Sequence, residues 1–322
     1  MKIKKLLSIL LCVLIAVGCV PFAVQNVKAE TKPKKITEYE VGNTFEFGWY
    51  PQNEVKNDAI EAELNQKAGV DSSDIKTSTA SWTSYGYYNS STGNLCDGQM
   101  KPDDYMRYKD VVLGTEKYRG IVFDTYRPYL TGYTSSSDMD KCYTYQDDNG
   151  YEPNNVYWFK YEPITWRVLS PEEGLVMSDT LLDSQAFNNY IIEENYNCYG
   201  EPDENGDKYY ANDYEHSSIR AWLNDDFINT AFWGSQQNII SETAVETKKF
   251  NEDSPTTTSD KIYLLSEDEV QNASYRLDSQ TARIAHGSDY ARIQGIEDFG
   301  LFRRTIFECL SMMNTLMKQC QD

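Results

Sequence analysis

The sequence predicts an α+β fold, made mostly of antiparallel strands and hairpins with a few short helices. Three observations carry this. Apolar and polar residues alternate in short segments parted by Gly, Pro or Asn-Gly. Helical spacing is confined to a few brief stretches, and neither a βαβ rhythm nor a repeat period is present. Aromatic residues make up 13% of the chain, with 25 tyrosines, and rings of this kind favour strands and packed, half-buried surfaces.

Taken in order, residues 41–52 begin the folded part. Phe45 and Phe47 alternate with polar neighbours as a strand would, and Pro51 is expected to stop it. Asp58–Ala68 reads as a helix, with Ile60, Leu64 and Ala68 on one stripe and Gly69 as its stop. Residues 72–98, rich in Ser, Thr, Gly and Tyr, read as an irregular loop. Residues 105–113 and 116–124 form a hairpin across Gly114. Asn149-Gly150 is a tight-turn signal, expected to close a plain hairpin. The strongest strand pattern follows over 156–160 and 163–169, with 174–179 as its hairpin partner. Asn205-Gly206 marks another turn.

Ser217 or Ser218 should cap a helix. Ile219, Trp222, Leu223 and Phe227 form its stripe, and that face is read as core. Residues 261–265 read as a short buried strand. It runs into Ser266-Glu267-Asp268-Glu269, a capping box that opens a short helix.

The N-terminus indicates location. Lys2, Lys4 and Lys5 precede an apolar run from Leu6 to Val17, and Val27-Lys28-Ala29 ends in small residues at the −3 and −1 positions of a cut. That is the plan of a secretory signal peptide, so the expected organisation is 1–29 signal, 30–40 linker, 41–298 one extracellular domain and 299–322 an atypical amphipathic tail. The apolar run is too short to serve as a membrane span. Ala16-Val17-Gly18-Cys19 is an imperfect lipobox that would tether the protein at Cys19. Ala where Leu is usual favours secretion, with an envelope-anchored lipoprotein as the alternative.

The formal charge is −20, and loss of the four signal lysines leaves about −24, which repels nucleic acid and anionic membranes. The five cysteines after the signal, Cys96, Cys142, Cys198, Cys309 and Cys320, are odd in number and scattered. They make neither a disulfide framework nor a C-x-x-C site.

Several ordered motifs then stand together: Phe47-Gly48-Trp49-Tyr50-Pro51-Gln52, Lys117-Tyr118-Arg119-Gly120-Ile121-Val122-Phe123, Tyr126-Arg127-Pro128, the Tyr157 to Leu169 run, Ser218-Ile219-Arg220-Ala221-Trp222-Leu223-Asn224, Asp260-Lys261-Ile262-Tyr263-Leu264-Leu265-Ser266 and Ser288-Asp289-Tyr290-Ala291. Together they resemble a family of uncharacterised bacterial extracellular domains with no agreed activity. Their order is also similar, distantly, to C-type-lectin-like and formylglycine-generating-enzyme-like folds. In this family a Trp-Leu-Arg-Ser strand and a Gly-Val-Arg-Pro segment are expected after Asp-Tyr-Ala. Here residues 299–322 instead carry Phe302, Ile306, Leu310, Met313 and Met317 in a helical stripe. The expectation is a truncated or frame-shifted end lacking the last strands, with a replacement helix as the alternative.

No catalytic signature emerges. His216 and His286 belong to no zinc motif, and neither a nucleophile elbow nor a nucleotide-binding glycine loop occurs. Calcium is the one cofactor the acidic turns suggest. Asp203-Glu204-Asn205-Gly206-Asp207 fails the EF-hand pattern, because Gly206 is fourth rather than sixth and Tyr214 stands at the twelfth place. Asp147-Asp148-Asn149-Gly150 is similarly turn-like. Arg167, Arg220, Trp222 and Asn224 are the family-signature positions, read as structural before ligand-binding. Trp49, Trp166 and Trp222 are rings of the kind that stack on sugars, with Trp166 and Trp222 read as core.

The expectation is a non-enzymatic module of the cell exterior or envelope that binds carbohydrate or protein. The alternatives are a secreted carboxylate-dependent glycan hydrolase, whose acid pair cannot be picked from 50 acidic residues, and a truncated copy without function.

Overall fold

Alternating apolar residues build a central antiparallel sheet in this computed structural model, which describes residues 35–85, 106–127, 145–185, 187, 213–248, 254–279, 281–296 and 299–301. The predicted signal peptide with Cys19, the acidic turn at 203–207, all five later cysteines and residues 302–322 lie outside the described residues. Within the predicted linker, Ile36–Glu38 makes a single 3₁₀ turn. Among the described residues, no helix is long and apolar enough to cross a membrane.

Strand β1 is Thr44–Glu54. It runs through Pro51, which was expected to end it. Because β1 lies at the sheet edge, the missing N–H of proline is tolerated beside an irregularity in the register. Pro163 faces the same stretch on the partner strand, opposite Trp49. The Gln52 carboxamide supplies donors across this proline-poor ladder, to Glu162 O at 3.0 Å and Pro163 O at 2.9 Å. Gly48, with φ +76°, sits where an added Cβ would stand 2.5 Å from the Phe232 ring and 2.9 Å from Ala231 O, so only glycine fits.

Helix α1, Asp58–Ala68, is capped by Asn57 and ends on Gly69 in the left-handed region. The predicted loop after it contains a short helix α2, Ile75–Ser78, capped by Asp74, and a two-residue strand β2, Thr83–Ser84. Strands β3, Met106–Leu113, and β4, Glu116–Phe123, pair in full register across the turn at Gly114. Strand β5, Tyr157–Ser170, is one 14-residue strand and pairs with β1, β4 and the short β6, Leu175–Ser178. The sheet order is β1-β5-β4-β3-β2, with β6 on β5.

The turn at Asn149-Gly150 does not close a hairpin. Asn149 Nδ2 instead donates to Arg292 O and Ile296 O, tying the turn to a later helix.

Beyond the sheet, Ser217 caps α3, Ser218–Trp222, by accepting from Arg220 N. The same helix continues through a wide π turn at Leu223–Phe227 into α4, Ile228–Ala231. Ile219, Leu223 and Phe227 of the predicted stripe are buried, and Trp222 is half-buried. Helix α5 is Gly234–Gln237. Strands β7, Thr243–Thr247, and β8, Thr256–Asp260, form a separate hairpin.

Residues 261–265 are not the predicted strand. Asn224 occupies their backbone, accepting from Lys261 N and Ile262 N and donating to Ile262 O, so those groups are withdrawn from any ladder. Helix α6, Glu267–Val270, starts at the Ser266–Glu269 capping box. Strand β9, Ile284–His286, precedes helix α7, Asp289–Ile293, and pairs with β10, Phe299–Leu301. The tail predicted from residue 299 therefore opens as a strand.

The sheet separates two cores. One face packs Leu64 and Ala68 of α1 with Trp82, Val111, Tyr118, Val122 and Trp158. The other packs Tyr50, Ile121, Phe123, Phe159 and Ile164 against Ile219, Phe227, Phe232 and Tyr290. Antiparallel sheets with a few short helices make this an α+β fold.

Candidate functional site

Strand alternation places Tyr108, Asp110 and Arg119 on the sheet face that carries Ile121 and Phe123. This face departs from apolar packing toward the Gly114 turn. Arg119 is only 5% exposed, and its guanidinium grips Asp110 with two bonds, Nε to Oδ1 at 2.8 Å and Nη2 to Oδ2 at 3.1 Å. Nη1 donates to Tyr290 Oη at 3.4 Å. Its carbon stands 4.2 Å from the Tyr108 ring centre and 5.6 Å from that of Tyr161, within the range of attraction between a cation and a ring.

Asp110 collects two further groups. Tyr161 Oη donates to Oδ2 at 2.9 Å, and Lys117 Nζ stands 3.0 Å from the same oxygen while lying 4.0 Å from the Tyr161 ring centre. Burial opposes the Asp110 charge, but Arg119 and Lys117 outweigh it and hold the carboxyl below its ordinary range. Burial likewise works against the Arg119 charge. Tyr290, Tyr161, Tyr85 and Asp110 together reverse that and keep it above its usual value. Asp110 is exposed and Lys117 and Tyr108 are half-buried, so the cluster reaches solvent at its Asp110 end.

Inward, the network continues through hydroxyls. Tyr85 and Tyr290 share a short hydrogen bond between their hydroxyls. Tyr50 Oη donates to Asp183 Oδ2 at 2.5 Å, while Asp183 Oδ1 accepts from Ser184 N and Gln185 Nε2. Burial raises the Asp183 carboxyl, with those hydrogen bonds opposing it. It also raises the phenols of Tyr50, Tyr85 and Tyr161, which keeps them protonated donors. On the π turn, burial and the neighbouring Asp225 raise the Asp226 carboxyl, and the opposing pull of Arg119 places Asp226 within that cation's field.

The family-signature positions lie elsewhere. Arg167 is bound to Asp179 and donates to Ala282 O at 3.3 Å. Arg220 Nε reaches both oxygens of Asp260, at 2.8 and 3.1 Å, and its Nη1 donates to Glu215 O. Asn224 joins Arg220 O to the 261–262 backbone. Trp222 lies 5.4 Å from the Phe227 ring. Arg220, Trp222 and Asn224 thus meet on one helix, apart from Arg167. Trp166 is buried with Nε1 donating to Phe47 O, and Trp49 is half-buried.

Among the described residues, Asp213, Glu215 and His216 bring metal-type ligand atoms within 4.8 Å of one another. Asp213 Oδ2 and His216 Nδ1 are already 2.9 Å apart, and Asp213 Oδ1 accepts from Glu215 N. His286 lies on β9, exposed.

Sequence reasoning quoted Lys117 and Arg119 only as motif letters and did not single out Asp110, Tyr108, Tyr161 or Asp183. The legible sign was Arg119 itself: in a strand of period two it shares a face with Ile121 and Phe123, so it had to be a buried cation needing a partner.

Residues 152–299 match a known family, a domain of unknown function (DUF6273). Strand β5, Asp183 and Tyr290 fall inside that stretch, whereas β1 to β4, with Asp110 and Arg119, precede it. No curated protein and no solved structure matches the chain.

Proposed function

We propose that this protein is a non-catalytic binding module of the cell exterior that holds carbohydrate against the Tyr108, Asp110, Lys117, Arg119 and Tyr161 cluster. One observation carries the reading: a cation 5% exposed, fixed between two tyrosine rings, whose carboxylate partner opens to solvent. A guanidinium has five N–H donors, and the bonds to Asp110 and Tyr290 use three. Its burial holds Asp110 in place, and at the solvent end the Lys117 ammonium and the Asp110 carboxylate suit a ring bearing several hydroxyls. Tyrosine faces suit its C–H side. Export through the 1–29 signal, with release at Glu30 rather than lipidation of Cys19, and a C-type-lectin-like use of the loops belong to the same proposal. Intact mass of the exported form tests the first point.

The function is tested by a glycan array and calorimetry on residues 30–322. Retention of glycan by the native protein, weakened at least about tenfold in Tyr108→Ala as expected for a central aromatic anchor, supports it. Retention of proteins alone would overturn it.

A second reading has one observation behind it. Asp183 is raised and Asp110 lowered, the division of states that an acid and a base show in glycan hydrolysis. Release of reducing ends that vanishes in Asp183→Asn would make the protein a hydrolase. The enclosure of Asp183 by Tyr50, Ser184 and Gln185 favours binding alone.

A further inference from the structure

Residues 227–241, Phe-Ile-Asn-Thr-Ala-Phe-Trp-Gly-Ser-Gln-Gln-Asn-Ile-Ile-Ser, contain no charged side chain, in a chain that is 25% charged. At their centre Trp233 is 54% exposed. A single exposed apolar side chain needs no partner by itself; what sets this indole apart is its neutral surroundings and the way it is mounted.

This indole is held on a fixed base. Trp233 N donates to Gln236 Oε1 at 3.0 Å, and its carbonyl accepts from Gln236 N at 2.8 Å and Gln237 N at 2.9 Å. Gln237 Nε2 is bound to Phe232 O, Ile228 O and Asn229 Oδ1, and Phe232 beside it is 2% exposed in the core. The next residue, Gly234, needs neither a left-handed backbone nor close packing: a Cβ there would meet nothing within 4 Å. A side chain is absent beside the ring where folding would allow one. Along the same segment, Asn229, Ser235 and Asn238 are exposed, and the side chains of Ser235 and Asn238 make no hydrogen bond among the described residues. Two charged groups touch the segment: Lys261 Nζ is committed to Gln237 O at 2.9 Å, and the Asp225 carboxylate accepts from Asn229 Nδ2 at 2.9 Å.

We propose that Trp233 is a stacking platform for a neutral sugar residue, with Asn229, Ser235 and Asn238 as the hydrogen-bonding rim. The chemistry selects the ligand. Neutral amides and a hydroxyl match sugar hydroxyls, and the exposed Asp225 carboxylate bound to Asn229 repels an anionic glycan. A protein partner of standard size would cover about 800 Å² per side, yet near Trp233 in sequence the described residues expose just one other large apolar side chain, Ile239 at 71%. A single pyranose needs one ring face. The site extends the binding reading above to a second surface and shares no residue with the Arg119 cluster.

The test is affinity electrophoresis and calorimetry of residues 30–322 with soluble β-1,3-glucan, β-1,4-mannan and arabinoxylan, and with polygalacturonate as the anionic control. The protein is labelled with 5-fluorotryptophan, and the Trp233 signal is assigned from Trp233→Phe. At least one neutral glycan should bind and shift that signal. Trp233→Ala should weaken binding about tenfold or more with an unchanged melting temperature, since the ring is exposed. Trp233→Phe should keep part of the affinity. Binding unaffected by Trp233→Ala, binding of polygalacturonate alone, or a neutral glycan that leaves the Trp233 signal in place would overturn the proposal. Loss in Tyr108→Ala but not in Trp233→Ala would sink this site and leave the Arg119 reading standing, and the converse pattern would do the reverse.

Discussion

Arg107 and Arg119 stand on adjacent strands, face opposite sides of the sheet and are equally buried, at 5% exposure. Arg107 Nη1 and Nη2 bind Asp124 at 3.0 and 2.9 Å, and the side chain of that partner is 8% exposed. Arg119 binds Asp110 in the same two-bond manner, but the Asp110 side chain is 28% exposed. Burial of the cation alone therefore does not tell a structural pair from one open to a ligand. The exposure of the carboxylate does. Each pair has a lysine on its carboxylate, Lys76 at 3.7 Å from Asp124 and Lys117 at 3.0 Å from Asp110, but Thr79 Oγ1 at 3.4 Å closes the Arg107 pair, while two tyrosine rings lead outward from Arg119.

The sharpest way to break this contrast is Arg107→Ala. It leaves Asp124 buried with the exposed Lys76, 3.7 Å away, as its remaining cation, and should cost about 3 kcal/mol of stability, the low end for breaking a buried pair, read by chemical denaturation, with glycan affinity unchanged in the folded fraction. Gly120→Ala acts on the same closed side. Its Cβ would stand 2.8 Å from Trp158 and 3.0 Å from Trp82, so a loss of about 1–3 kcal/mol from overpacking is expected, again without effect on binding. Asp110→Asn should invert the pattern, with glycan affinity falling about tenfold by calorimetry, as for a central polar anchor, while the fold persists.

Titration sharpens the contrast further. Asp110 is held below its ordinary range, so its stabilisation is complete above that range and is lost as acid carries the pH through the lowered value. Asp183 is raised, so the folded protein keeps a proton that the unfolded chain has released. Its contribution falls as pH rises from the ordinary carboxyl value through the folded one. Melting scans across this interval should show Asp183→Asn declining less than the native protein as pH rises. The smallest effect belongs to Lys117→Ala, about 0–1 kcal/mol, because the lysine side chain is 35% exposed and screened.

Local structure was legible where local chemistry decides it. Gly69 stops its helix, Gly114 turns its hairpin, and Ser266 with Glu269 opens α6. Residues 261–265 misled because their apolar pattern is that of a strand, while a distant side chain, Asn224, takes the backbone groups a strand would need. Pro51 misled because edge position is a property of the sheet rather than of the segment. The Arg119 cluster was hidden for a similar reason. Its parts come from four strands, the Asp183 segment and α7, and the hydroxyl pair Tyr85–Tyr290 joins residues 205 apart. No spacing rule reaches across that distance.

Strand β5 binds β1 on one side and β4 on the other. A ribosome delivers these segments in order, so the β3–β4 hairpin is free to zip as soon as it emerges. β1 must wait for a partner more than a hundred residues downstream, carrying Phe45, Phe47 and Tyr50 uncovered in the meantime. The late arrival of one long strand thus leaves β1 without its ladder until residue 170 has been synthesised, and makes that pairing a long-range, slow step of folding.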